Sequence, residues 1–463
     1  MTAGTGIIGR GEAPSTSDAA RWPSRWPAED GGATREQACP LATGLRISAG
    51  ERLELSARRD AFASTMIILR QPGEVYVLRH TLGRRPLRDP SECWVERLHP
   101  HTLEPVDSSP RLPGGPFWPG GLAAHADGSL HAVHGRHCHR LSAALEPLVT
   151  RQLPHARPYN SFLALQDGTL VMKEIDRDLH RPAHLCLLDP ATLEPCGPGE
   201  VLEEPSIARL SAEGNLLYVV GATTVWRYHW DGRRLRRDDD WQLRYHGGPA
   251  HSYGWDPVIS GGHVWFLDNG AHDYSSTMRG AGLASGPIRL IRVSTSDCAD
   301  VEAVEVSGAA RGTATNPPVY DPGRRIAVGY DSGNGVVQAF RFDGRLAPLW
   351  RAELDHAAHM ILFPASGELV LHHHRGPRLA RTRLGRRFGQ AASGLARSPG
   401  VREALARRAA DEVVVLDIET GQEKARCPVP TMFQSVLFPA PGFERDIYWV
   451  TFSTLARLEV VSR

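Results

Sequence analysis

The sequence predicts an all-β protein, a β-propeller of four-stranded antiparallel blades, eight in number with seven as the alternative. Three observations predict it. A hairpin unit made of an apolar run, a Gly-containing turn and a second apolar run recurs eight times along 463 residues. A second turn signature follows several of these hairpins. Between them almost nothing carries the 3.6-residue apolar period of a helix.

The hairpins run in order from TMIILRQPGEVYVLR (65–79), GLAAHADGSLHAV (121–133), SFLALQDGTLVMK (161–173) and SIARLSAEGNLLYVV (206–220). They continue with PVISGGHVWFL (257–267), PPVYDPGRRIAVGY (317–330), MILFPASGELVLH (360–372) and SVLFPAPGFERDIYWV (435–450). β-branched and aromatic residues flank a short turn carrying glycine, which is the composition of a β-hairpin. The turn glycines recur roughly every 40 to 75 residues, the length of a propeller blade with or without loop insertions. The second signature reads HPHTLEP (99–105), LSAALEP (141–147), DPATLEP (189–195) and FDGRLAP (342–348), with looser copies at 230–235 and 418–424. It marks the turn between third and fourth strands. The unit at 121–148 is the weakest and the one whose irregularity would reduce eight blades to seven.

Closure follows from the chain ends. The last unit supplies three strands and then the chain stops, while LRISAGERLEL (45–55) precedes the first hairpin and could serve as the missing outer strand. Such a clasp removes open sheet edges. Residues 1–40 are rich in Gly, Ala, Ser, Pro and charge and read as a flexible leader, leaving 41–463 as one propeller domain.

Charge is balanced at +1, which excludes a global field aimed at nucleic acid or membrane. The seven cysteines are scattered singly, with no C-x-x-C pair. No apolar signal core and no long apolar span is present, so a reduced, soluble, cytoplasmic protein is expected.

In a propeller the residues leading into each innermost strand and those ending each second strand gather around one mouth of the channel, where strand ends aim polar groups into a concave funnel. The leading positions are Trp118, Tyr159, Asn160, His251, Tyr253, Trp255, Asn316, His356, His359 and Gln434. The ending positions are His80, His134, Lys173, Glu174, Asp268, Asn269, Asp331 and the run His372–His374. These side-chain types bind metals or transfer protons. His251 and His359 each stand just before an innermost strand and could converge on a divalent metal, or one could serve as a general base. The cofactor is left open between none and a divalent metal ion.

Two insertions reach the same face. NGAHDYSSTMRGAGLASGP (269–287) carries His272, Asp273 and Tyr274 and could lie over the mouth as a lid. Residues 375–410 hold ten arginines against one acid, Glu403, and end in a short helix with Ser398 as N-cap and Pro399 at the first helical position. Arginine forks suit phosphates and carboxylates, so an acidic protein partner or an anionic ligand is expected there; without interleaved aromatics, nucleic acid is not.

Single blades resemble known propeller families. YNSFLALQDGTLVMKE is similar to a hairpin of the strictosidine synthase and gluconolactonase group, and ATNPPVYDPGRRIAVGYDSGNGVVQAF to a quinoprotein blade. The first resemblance implies a divalent metal held by Glu, two Asn and an Asp. Asn160, Asn316 and Asp268 match three of these, and no first-blade glutamate matches the fourth. The second implies pyrroloquinoline quinone, against which the absence of an export signal argues.

Two functions are expected from these residues. In the first, an enzyme acts on a small anionic metabolite at the channel mouth by lyase- or hydrolase-type acid/base chemistry. His251, His359, Lys173, Glu174 and Asp268 carry the chemistry. Trp118, Tyr159, Asn160, Tyr253, Trp255, His272, Tyr274, Asn316 and Gln434 hold the substrate. In the second, a non-catalytic scaffold binds a protein partner through the mouth face and the Arg-rich insertion.

Overall fold

The structure, a computed structural model, describes residues 20–82, 90–176, 178–274, 277–375, 384, 396–408 and 410–462. All eight hairpins form where their composition places them, and each becomes the inner half of one antiparallel blade. Blade 1 is built from Ser64–Leu69, Val75–His80, Ser91–Leu98 and Pro105–Ser108, with Leu112–Gly115 as an added fifth strand on the third. Blades 2 to 7 begin at Gly121–Ala124, Tyr159–Ala164, Ser211–Glu213, Val258–Ser260, Val319–Asp321 and Ile361–Phe363. The unit at 121–148, expected to be the irregular one, is an ordinary four-stranded blade; blade 1 carries the irregularity instead. Eight blades therefore stand and seven do not.

The turns behave as their glycines require. Gly128 and Gly168 sit at φ +85° and +91°, a region that a Cβ makes costly. Between blades the cores interdigitate: Trp265 of blade 5 stacks on Tyr320 of blade 6 with ring centroids 4.3 Å apart. Nearly every residue of the second strands is buried, as expected for strands covered on both faces by neighbouring blades.

Blade 8 closes the ring. Its three C-terminal strands, Ala440–Pro441, Asp446–Val450 and Thr454–Ser462, are completed by Glu51–Asp60, which pairs antiparallel from Glu51↔Ser462 to Asp60↔Thr454. The clasp expected at 45–55 is thus real but lies a few residues further along. Arg445 fastens its start through Glu51 at 2.7 Å.

The expected leader does not hold for residues 20–40, and residues 1–19 lie outside the described residues. From Ala20 onward the chain runs down the central channel, touching the innermost strands in turn. Backbone bonds join Trp22 to Ala124, Ala33 to Ala212, Thr34 to Ile259 and Cys39 to Leu362. Trp26, Arg35, Gln37, Cys39 and Leu45 are buried. A flexible-looking composition was misleading because inner strands offer free backbone partners, so the segment needs few apolar side chains to be fixed.

Candidate functional site

The mouth is built from the ends of the second strands and the starts of the third. Here the chain turns over, and backbone N–H groups released from the ladder must find acceptors. Carboxylates supply them. Glu174, wholly buried, accepts the backbone N–H of His184 at 3.1 Å, and its Oε1 also takes Arg157 and the His184 ring. Asp268 takes the backbone N–H of Arg289 through Oδ1 and its Nε through Oδ2, each at 2.7 Å. Asp331 takes the N–H groups of Thr313 and Asn334 at 3.2 and 3.1 Å. On blade 7, Asp411 accepts from Ser435 N at 2.9 Å and from His374 Nδ1 at 2.6 Å. Burial pushes the Asp268 carboxyl up to about 6, with Arg289 pulling the other way.

The positions that lead into the innermost strands stitch blade to blade. Asn160 donates to Ile207 O at 2.9 Å and Ala208 O at 3.3 Å on the approach to blade 4. Lys173 Nζ donates to Ser206 O at 2.8 Å beside it. Asn316 donates to the carbonyls of Ala357 and Val436. Of the groups the gluconolactonase resemblance offers as metal ligands, Asp268 and the amide N–H groups of both asparagines are engaged with protein, while Asn160 Oδ1 has no hydrogen-bond partner. Tyr159 is buried and receives the His155 N–H at 3.4 Å. Trp255 is buried, its ring 6.2 Å from Tyr253 and 6.1 Å from His272. Trp118 is half-buried beside the Pro119 and Gly120 carbonyls that bind Arg209.

His251 and His359 belong to different neighbourhoods. His251 lies 3.6 Å from Asp268 Oδ2 and 3.4 Å from Asn269 on blade 5, and burial followed by Arg289 lowers its pKa. His359 is buried, stacked 3.8 Å over Phe438, with Nδ1 2.7 Å from Asp30 of the channel segment. Neither belongs to a group of three or more metal-ligating side chains among the described residues.

The insertion at 269–287 does cross the mouth. Thr277 and the Met278 N–H donate to Gln434 Oε1 at 3.1 and 2.5 Å, and Gln434 in turn donates to Asp355 O at 3.0 Å. Arg279 pairs with Asp355 at 2.8 Å, and Gly280 N–H reaches Gly333 O. The loop rising from blade 5 is thereby tied to blades 6, 7 and 8. Burial raises the Tyr274 hydroxyl pKa. His272 turns its Nδ1 to Gly270 O at 2.7 Å. The helix of the Arg-rich insertion is Pro399–Ala406, starting after Ser398 as expected. The Ser398 side chain makes no cap bond, and Arg402 anchors the helix on Asp60 of the clasp at 2.5 Å. Most of 376–395 lies outside the described residues.

Below the lid the channel is filled by residues 28–39, and its charges are matched to the wall. Arg35 binds Glu29 at 2.7 Å and Asp30 at 3.2 Å, while Arg209 binds Glu29 at 2.9 Å and lies 4.4 Å over Phe438. Burial raises the Asp30 carboxyl, but His359, Arg35 and Arg209 outweigh it and hold the group below its ordinary value. The cavity beside the segment, lined by Ala28, Glu29, Arg35, His131 and Phe162, measures about 30 Å³. That is room for one or two waters, not a metabolite.

Sequence reasoning passed over Arg209, Glu29, Asp30 and Arg35, and also His155, Arg157 and His184. The last three surround Glu174 at the rim. Their signal was absent because His155 and Arg157 lie in the connection between blades 2 and 3 and His184 starts a later strand, with no fixed spacing to Glu174.

The fold defines an eight-bladed, clasp-closed β-propeller with a filled channel. No protein-family model and no curated protein matches the chain. Among solved structures it is similar to a quinohemoprotein alcohol dehydrogenase from Pseudomonas putida, at TM-score 0.58 and 8% identity, covering 96% of this chain and 81% of that one. A europium-containing methanol dehydrogenase matches at TM-score 0.56 and 9% identity over 94% and 89% of the two chains. BamB from Moraxella catarrhalis matches at 0.53 and 10% over 88% and 97%. At these identities the likeness is one of fold.

Proposed function

We propose that this chain is a non-catalytic propeller scaffold of the cytoplasm, binding an acidic protein partner on its mouth face. One observation carries the reading: the channel that would hold a small ligand is filled by residues 28–39, whose Glu29 and Asp30 sit on Arg209 and His359. An anionic metabolite would have to displace two buried carboxylates from these cations. The polar collar above is engaged in holding strand ends and lid together. The Arg-rich insertion leaves blade 7 at this face after His374 and returns at Ala410.

The test compares two probes on the full chain. Polyglutamate should bind with an affinity that falls steeply with salt, and deleting 376–395 should abolish it. A panel of small carboxylates and phosphates should leave the melting temperature unchanged. Saturable stabilisation by a small anion, lost in His251→Ala or Asp268→Asn, would instead establish the enzyme reading, for which the Asp268 carboxyl near 6 is the supporting feature.

A further inference from the structure

We propose that His155, Glu174 and His184 form a binding site for a divalent transition-metal cation, with Arg157 as a built-in competitor for it. The site stands at the rim of blade 3, apart from the filled channel. Glu174 ends the second strand, Leu170–Glu174, and His184 begins the third, His184–Leu188. Pairing of Lys173 with Leu185 sets Glu174 and His184 opposite each other across the ladder. His155 arrives from the connection between blades 2 and 3, its ring stacked on His184 at 4.1 Å. One ligand atom from each of the three lies within 4.8 Å of the others, and no other such trio occurs among the described residues.

Two further observations point to a cation. Glu174 is wholly buried, and its Oε2 has no hydrogen-bond partner, so half of a desolvated carboxylate is unmatched. The space beside its Oε1 already holds positive charge, since Arg157 Nη2 bonds Glu174 and lies 3.1 Å from His184 Nδ1. Arg157 is held through Nη2, which also donates to Pro182 O at 3.2 Å, while its Nη1 has no partner and the side chain is 19% exposed. Swinging it outward leaves two imidazoles and a carboxylate facing one point, a donor set suited to Zn²⁺ with a fourth position open. Donors on a tetrahedral zinc stand about 3.3 Å apart, so His184 and Glu174, now 2.5 Å apart, must open slightly, while the wider separations, at most 4.8 Å, close by up to about 1.5 Å through rotation of half-exposed His155.

The experiment titrates the full chain, freed of metal with chelator, with Zn²⁺ by calorimetry and with Co²⁺ by visible absorption. The expected result is one equivalent of ion, with Co²⁺ bands of tetrahedral intensity. His155→Ala, which removes a partly exposed ligand without disturbing the buried carboxylate, should weaken binding at least about tenfold. Arg157→Ala should tighten it by removing the competing cation. Circular dichroism of both variants checks that the propeller is intact. No stoichiometric ion in the wild-type chain, or an ion whose affinity ignores His155→Ala, overturns the proposal. So does an Arg157→Ala variant that binds no more tightly than wild type.

Discussion

Arg35→Ala should destabilise the propeller by about 3 kcal/mol, the cost of removing a buried guanidinium shared by two buried carboxylates. The guanidinium is 2% exposed and bonds both Glu29 and Asp30, with its Nε on Leu210 O at 2.6 Å. Alanine would take from each carboxylate one of its two partners, leaving Glu29 to Arg209 and Asp30 to His359, and would free the Leu210 carbonyl as well. The loss should appear as a lower urea midpoint and as new proteolytic cleavage between residues 20 and 45. Replacing an exposed arginine such as Arg52, paired with Glu54 at 48% exposure on each side, should change neither. Equal effects at the two positions would mean that the channel segment is only loosely held.

The second large effect concerns Lys173. Burial lowers its pKa to about 7, with Asp256 and Glu174 pulling the other way. The folded-state value lies below the unfolded one, so between about pH 7 and pH 10 the unfolded chain binds more protons. Stability therefore rises with pH across that window, by at most about 1.4 kcal/mol per unit, and is lowest below pH 7. Lys173→Met should abolish this slope, at the expense of about 1 kcal/mol for the lost bond to Ser206. The variant should gain most on wild type near pH 7 and lose its advantage by pH 10. Parallel urea midpoints for the two proteins at pH 7, 8 and 9 would refute the assignment.

The hairpins were legible because alternation and turn glycines are local, so GLAAHADGSLHAV specifies its two strands with no help from elsewhere. The mouth was legible as a place: Lys173, Glu174 and Asp268 do end second strands, and Gln434 does approach the centre. Their roles were not. Whether Asn160 is free to bind a ligand depends on the carbonyls of Ile207 and Ala208, one blade away, which no local pattern encodes. The channel segment was misread for a related reason. It is held by main-chain bonds and by Arg35, Glu29 and Asp30, charges that in isolation look like solvated surface. His155 and His184 matter only through their proximity to Glu174, set by strand register and loop path.

The clasp and the channel segment together set an order on how this molecule can be made. As the ribosome releases the chain, residues 20–60 emerge well before Leu362, Phe443 and Ser462, against which they settle. The clasp strand and the end of the channel segment must wait for partners made several hundred residues later. Blades 1 to 7 can assemble vectorially, but the ring cannot shut until Thr454–Ser462 has been made. A stalled or truncated product would expose both an empty bore and an unclasped edge, which makes incomplete chains ready substrates for chaperones and proteases.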